Sequence, residues 1–477
     1  MKLSKFKTPN TVLILFSLII VFAVLTWIIP AGKFDTVESN GRQIVDENSF
    51  HLIDPSPQNI DDVLKAPING FVDAALIIGF VLIVGGAFSV FQKTEAVDSV
   101  IKSIVKAHKN SRLLQALIIP IFMTIFSLGG AVFGMSEEVI PFILIFVPLA
   151  LALGYDSVTG VAIPFIGAGA GFAGAFLNPF TVGIAQGISD LPLFSGIEYR
   201  IIVWIIITAV AVIYVTRYAA KIKTNPSKSI TFETDKNKRI ELHLSNIEQF
   251  TGIDRRHKFV LILFLLGLLV LVFGVLEYQW FIEEICAVFL ITGIVVGYAG
   301  GLTSREISES FVKGAKDLVS TALVIALARG ILIIVSDGKI IDTILYALSS
   351  PIGNLHPIVS SQAMFVTQTI INFFVPSGSG QAALTMPIMA PLGDLVNVSR
   401  QTAVLAFQFG DGFSNMIIPT SAVTMGVLTL AEIPWEKWAK WVLLLEVIFF
   451  VIGCLLLIPL CNGWRMVKKV HILHCIR

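Results

Sequence analysis

Apolar residues fall along this chain in blocks too long for a soluble core. A bilayer interior about 30 Å thick takes roughly 20 apolar residues per helix. Runs of that length lie at 11–30, 70–91, 198–219, 258–276, 281–301, 317–336 and 438–460. Two more, 158–186 and 400–430, are long but carry Gly, Pro and Asn inside them. Segments 113–153 and 357–397 behave differently. Each is apolar for a span's length, meets a polar cluster, then turns apolar again. The clusters are Gly134-Met135-Ser136-Glu137-Glu138 and Pro376-Ser377-Gly378-Ser379-Gly380-Gln381. Irregular backbone at membrane depth is tolerated only where it is buried in protein or lines a water-filled cavity. Both segments therefore predict re-entrant hairpins with tips near the midplane. Segments 93–110 and 338–352 read as amphipathic surface helices.

The first run follows Lys2, Lys5 and Lys7, as a signal peptide's apolar region would. It is too long for that region, and no small-residue cleavage site follows, so it predicts an uncleaved first span. Short basic loops mark the cytoplasmic side. The linker 217–258 carries ten Lys and Arg residues and segment 93–112 carries five, whereas loop 31–69 holds seven acidic residues. Nine crossings and two hairpins satisfy these constraints, with a cytoplasmic N-terminus. They leave the C-terminal tail outside, against Arg465, Lys468 and Lys469.

Composition agrees. The 477 residues are 55% hydrophobic and 14% charged, with a mean hydropathy of +0.84, whereas soluble domains carry about 25% charged residues. A soluble enzyme is excluded. The 34 Lys and Arg against 33 Asp and Glu leave no excess for nucleic acid. Four cysteines (Cys286, Cys454, Cys461, Cys475) show neither a disulfide framework nor a zinc spacing.

The two halves resemble each other at a nearly constant offset. Val97-Asp98-Ser99-Val100-Ile101 matches Ile341-Asp342-Thr343-Ile344-Leu345 at 244, Ser136 matches Ser379 and Pro148 matches Pro391 at 243. Gly171-Phe172-Ala173 matches Gly412-Phe413-Ser414 at 241, and Pro179 matches Pro419 at 240. The expected architecture is an all-α polytopic membrane protein. It comprises a first repeat over 1–219, a cytoplasmic linker over 220–257, a connecting span over 258–280, a second repeat over 281–461 and a tail over 462–477. Each repeat reads as two spans, a surface helix, a hairpin, a broken span and a closing span. The single connecting crossing inverts the second repeat, the plan of secondary transporters whose sites lie at the midplane.

Candidate chemistry gathers at the breaks and tips. Pro179 frees the carbonyl four residues earlier, and Asn178 and Thr181 can bond that backbone or a ligand. Capping is the structural alternative for Asn178. The second break offers Asp411, Asn415 and Thr420, with Gly410 and Gly412 beside the acid and Pro419 beyond it; a carboxylate inside a span is costly and functional by default. Gly171 and Gly412 are expected beside the breaks. Ser136, Ser377 and Ser379 would open return helices, whose N-terminal N–H groups suit a carboxylate. Glu137 and Glu138 would lie at membrane depth, Glu138 with Asp411 as a cation or proton site and Glu137 toward substrate. Arg329 reads as a structural pair with Asp337 or Glu284, lying outside the hairpin and broken-span set. With acids and no Lys or Arg at the centre, a cationic amino acid fits better than a dianion.

The segments "PNTVLILFSLIIVFAVLTWIIPAGKFD", "GMSEEVIPF", "GAGAGFAGAFLNPFTVGIAQG", "ALARGI" and "FVPSGSGQAALTMPIMAPLGDL" resemble the YfcC family, related to DcuC-type C4-dicarboxylate carriers within the ArsB/NhaD-like superfamily. The resemblance reaches to about residue 460. It implies a carrier in the bacterial inner membrane for basic amino acids or C4-dicarboxylates, with Na⁺ or H⁺ as coupling ion. It also implies a homodimer in which a transport domain moves like an elevator. The remaining readings are a channel or an ion-translocating subunit of an ATPase, the chain itself carrying no P-loop, and a membrane enzyme. The sequence shows no metal-spaced cluster or nucleophile–base pair for an enzyme.

Overall fold

The computed structural model describes residues 11–39, 42–45, 49–241, 252–278 and 280–461. Lys2, Lys5, Lys7, Cys475 and the tail residues Arg465, Lys468 and Lys469 lie outside them. Helices appear in an order that runs twice. The first set is α1 (Thr11–Ile28), α2 (Ile60–Asp73), α3 (Ala75–Lys93), α4 (Ala96–Asn110), α5 (Arg112–Phe133), α6 (Ile143–Ala152), α7 (Ser157–Ala173), α8 (Ile184–Ile188) and α9 (Ile197–Thr224). After α10 (Phe232–Glu241) and α11 (Arg255–Tyr278) comes the second set. It comprises α12 (Ile282–Ala299), α13 (Ser304–Asp317), α14 (Val319–Asp337), α15 (Ile341–Ser349), α16 (Pro357–Phe374), α17 (Gly378–Leu395), α18 (Arg400–Ser414), α19 (Ala422–Leu430) and α20 (Trp435–Cys461). Two short antiparallel strand pairs, β1 (Gly32–Lys33) with β4 (His51–Leu52) and β2 (Thr36–Ser39) with β3 (Arg42–Val45), sit between α1 and α2.

Helices α2 and α13 have no counterpart in the sequence reading, and they change the architecture. Both have 14 residues. One contains Pro67, and the other is charged along one side, so neither has a span's length or composition. They interlock the two halves: α2 packs on α14, and α13 packs on α3. The crossings use glycine in matching places. A side chain at Gly70 would strike the backbone of Ala326 and Gly330, and one at Gly314 would strike the backbone of Gly85. Small residues let helices approach this closely without a hydrophobic driving force.

Each expected hairpin segment forms a helix, a break and a second helix, the first with an irregular start. Phe122 and Phe126 of α5 pack edge-on against Phe142 and Phe146 of the return arm. That arm begins as a 3₁₀ turn over Glu137–Phe142, tightened ahead of α6 by Pro141. In the second hairpin, Gln381 donates from Nε2 to Gln368 Oε1 at 2.7 Å, and Gln368 donates to Thr385 Oγ1 at 2.9 Å. The surface helix expected over 338–352 starts at Ile341, after Lys339 at φ 53.

The linker is docked. Asp235 of α10 is buried and accepts from Ser157 N at 2.9 Å, at the start of α7, and from Thr231 Oγ1 at 2.7 Å. Asp156 caps α7 and accepts from Tyr218 of α9 and from Ser229. Arg239 donates to Tyr155 O at 2.5 Å, and Lys238 donates to Ala431 O at 2.6 Å, just past α19. A segment that reads as a basic loop is therefore clamped onto both broken spans.

Surface helix α4 joins this face through His108. The imidazole is buried, and the Lys223 ammonium lies 3.2 Å from Nε2 and 5.0 Å from the Tyr155 ring. Burial, then the Lys223 charge, hold the His108 pKa below its ordinary value. The unfolded chain therefore takes up a proton first as pH falls through about 6.5, and stability falls with it. Melting temperature in detergent is expected to drop on acidification through that window, and His108→Gln is expected to flatten the slope. An unchanged slope in the variant would rule this origin out.

Candidate functional site

The first break begins where α7 ends at Ala173. A residue pair beyond it, Phe176 and Leu177, donates both backbone N–H groups to Ala131 O of hairpin arm α5, at 3.3 and 3.1 Å. Asn178 is fully buried and accepts through Oδ1 from Phe180 N at 2.9 Å and Thr181 N at 3.3 Å. It thereby starts the π turn Pro179–Gly183. The capping role is present, yet Asn178 Nδ2 and Thr181 Oγ1 are buried without a partner among the described residues. The carbonyl of Ala175 lies past the end of α7, and Arg200 Nη1 donates to it at 3.4 Å.

Arg200 is the residue the sequence reading missed. It stands in the second turn of α9, is fully buried, and leaves Nε and Nη2 unpartnered among the described residues. The expectation that no Lys or Arg reaches the centre is corrected here. The available signal was an Arg four residues into a span.

The second break mirrors this chemistry with different residues. Pro419 frees the carbonyl of Asn415, which accepts from the Thr424 hydroxyl. Trp438 Nε1 donates to Met416 O at 2.9 Å and Trp435 Nε1 to Ile417 O at 2.8 Å, so α20 satisfies the irregular backbone. Ser421 caps α19. Asp411 is fully buried; Oδ1 accepts from Asn415 Nδ2 at 2.8 Å, and Oδ2 has no partner among the described residues. Asn372 of α16 donates to Asp411 O at 3.2 Å and to Ser414 Oγ at 2.8 Å. Thr420 Oγ1 is buried and unpartnered as well.

Both hairpin tips meet these breaks. Gly134 turns at φ +75, and a side chain there would lie 2.7 Å from Asn178 Oδ1. Glu138 turns back to accept from Ser136 N at 3.0 Å, a local cap, and Glu137 opens the 3₁₀ turn beside it. At the second tip Ser377 accepts from Gly380 N at 3.3 Å. Gly378 fits between the breaks: an added Cβ would lie 2.5 Å from Thr181 Cγ2 and 2.9 Å from Asp411 Oδ2. Ser379 faces outward and does not join the cluster. Gly171 lies against Ser127 of α5, and Gly412 against Ala173 of α7, which holds the two broken helices in contact.

Two cavities flank the cluster. One, lined by Ser136, Gly412, Asn415 and Ser421, has a volume of about 30 Å³, room for a single water or ion and no more. The other, about 560 Å³, reaches Ser377 and Gly380 from the side of loop 31–69 and is lined by Lys33, Arg329 and Lys339 with Asp342. Arg329 does form an ion pair, with Asp73 of α2 rather than with Asp337 or Glu284. It also lines the cavity that reaches the second tip.

Comparison with known proteins gives the chain its family. The family model described as "C4-dicarboxylate anaerobic carrier" (DcuC) matches residues 8–461. The chain belongs to the DcuC family. Within reach of it, an Escherichia coli K12 protein named "Putative basic amino acid antiporter YfcC" is 37% identical, covering 91% of this chain and 92% of that one. A Haemophilus influenzae protein with no assigned function is 29% identical over 96% of each chain. Among solved structures, the Alcanivorax borkumensis YdaH transporter aligns with a TM-score of 0.45 at 16% identity, covering 96% of this chain and 100% of that one. As a member of the DcuC family, the chain is a multi-pass membrane transporter.

The Gly378 contact gives a direct check. Gly378→Ala drives a methyl group into Asp411 and Thr181 and is expected to reduce transport at least tenfold while the protein still inserts and folds. Gly79→Ala in α3, where an added Cβ meets nothing within 4 Å, serves as the control. Wild-type transport by Gly378→Ala would remove the second tip from the site.

Proposed function

We propose that this transporter is a secondary antiporter of basic amino acids. The observation that carries the reading is Asp411, fully buried beside Gly378 of the second tip, with Oδ2 unpartnered among the described residues. A buried carboxylate without a partner is strongly destabilising unless a cation or proton joins it. A cationic side chain supplies that partner, and its α-carboxylate suits the N–H of Gly378, which opens α17. Ser136, Asn178, Thr181, Ser377, Asn415 and Thr420 supply the neutral hydrogen bonds around it. Asp411, with Glu138 beside the first tip, also serves a coupling Na⁺ or proton.

The reading extends to the mode of movement. The interlocked α1–α3 and α12–α14 form a scaffold, and the hairpins with the broken spans form the moving body. Two inverted halves then alternate access in an elevator, within a homodimer of the inner membrane whose N-terminus is cytoplasmic. The water-sized cavity at the first tip and the larger one at the second support a conformation open on the loop 31–69 side. The larger cavity also favours a second reading. Lys33, Arg329 and Lys339 line it, and three cations on the approach suit a C4-dicarboxylate or other carboxylate carried with Na⁺ or H⁺.

Counterflow in proteoliposomes separates the two. Labelled arginine or ornithine is expected to exchange, and succinate is not. Asp411→Asn and Glu137→Gln are each expected to lower apparent substrate affinity roughly tenfold or more, the scale of a lost charge-assisted bond. Succinate uptake with no response to arginine or ornithine would overturn the first reading in favour of the second.

A further inference from the structure

A second polar concentration lies away from the tips, where α9 ends, the linker begins and α20 starts. A groove of about 910 Å³ opens there. Five cations border it: Arg217 and Lys221 of α9, Lys228 of the linker, and Lys437 and Lys440 of α20. No acidic residue lines it, and none of the five forms an ion pair among the described residues. The floor is apolar and continuous with the outward faces of both helices, where Ile213 and Leu444 are 49% and 59% exposed. Between floor and rim stand Tyr214, Tyr218 and Trp441.

We propose that this groove binds an anionic phospholipid, the phosphate headgroup held by the five cations and the acyl chains lying along Ile213, Leu444 and Ile448. Three features support that occupant. Charge of one sign with no acidic partner among the described residues calls for an anion, and basic pockets between membrane helices on the linker-bearing side recognise lipid phosphates. The adjoining exposed apolar strip would be superfluous for a small soluble anion but matches a chain. The aromatic trio sits where interfacial aromatics belong, with one end apolar and the other wet.

The groove is also built rather than incidental. Tyr214 donates to Trp441 O at 2.5 Å, and its ring and that of Tyr218 lie 5.4 and 5.1 Å from the indole. Lys437 donates to Ile230 O at 2.9 Å, tying the linker to α20. Since Asp235 joins the same linker to the start of α7, a lipid seated here would brace the linker against the first broken span.

The test uses delipidated full-length protein in detergent, titrated with phosphatidylglycerol, phosphatidylcholine or inorganic phosphate while thermal melting is followed. Phosphatidylglycerol is expected to raise the melting midpoint saturably, and the other two are expected to leave it unchanged. Each cation removed is expected to weaken apparent affinity about fivefold. The triple variant Lys221→Gln, Lys228→Gln, Lys440→Gln is thus expected to lose about a hundredfold. Should it fail to fold, Lys440→Gln alone, at an exposed position, is expected to show the single fivefold loss. An equal shift with phosphatidylcholine, a shift reproduced by phosphate, or unchanged affinity in the folded variant would each overturn the proposal.

Discussion

The whole arrangement depends on one constraint: backbone that leaves a helix inside hydrocarbon finds its partners in protein or not at all. Each break strands a carbonyl, and the structure supplies each with a donor from elsewhere. Ala175 O receives the Arg200 guanidinium, and Asn415 O receives the Thr424 hydroxyl. The N–H groups freed beyond the first break go to Ala131 O and Asn178 Oδ1, and indole donors from α20 take the carbonyls of the second. The hairpin arms and closing spans are therefore structural complements of the breaks.

Satisfying the main chain leaves the side chains unevenly served. Asn178, Asn372 and Asn415 each spend one end of the amide on backbone or Asp411 and leave the other end unpartnered among the described residues. Buried polar atoms in native proteins are nearly always paired, and each exception asks for an explanation such as a water, an ion or a ligand. The exceptions here concentrate at the two breaks, with Thr181, Thr420 and Asp411 beside them. A purely structural kink would not accumulate them. Where the ladder is broken, the protein holds spare donors and acceptors in place.

How much of this was legible in the sequence follows from the range of each interaction. Broken spans, hairpins and their caps depend on neighbours in the chain, and Pro179, Pro419, Asn178 and the Ser/Gly tips announce them. Asp411 stands out because an acid in a span has few structural excuses. Partners distant in sequence were not legible: Arg329 meets Asp73, 256 residues away, so the nearer acids looked equally suitable. Arg200 hides for another reason, since an Arg near the end of a span ordinarily extends its head to the interface. The short helices α2 and α13 escape because neither is long nor apolar enough to register as a span, although the halves lock together through them. Glu137 and Glu138 are adjacent and chemically alike, and only the turn of the tip makes Glu138 the local cap.

The repeat is also informative where it fails. The two prolines sit at matched positions, but a cation answers a stranded carbonyl at the first break and a neutral hydroxyl answers one at the second. The acid is just as one-sided: Asp411 belongs to the second break, and at the offset of 241 the first half places Ala170. Matched backbone with opposed side-chain charge gives the interior a polarity that an evenly duplicated site would lack. Such a field discriminates between ligands by sign and by separation of charge. On the proposed reading, that field opposes a molecule bearing like charges at both ends and supports one whose cationic and anionic groups are held apart, as in an amino acid with a basic side chain.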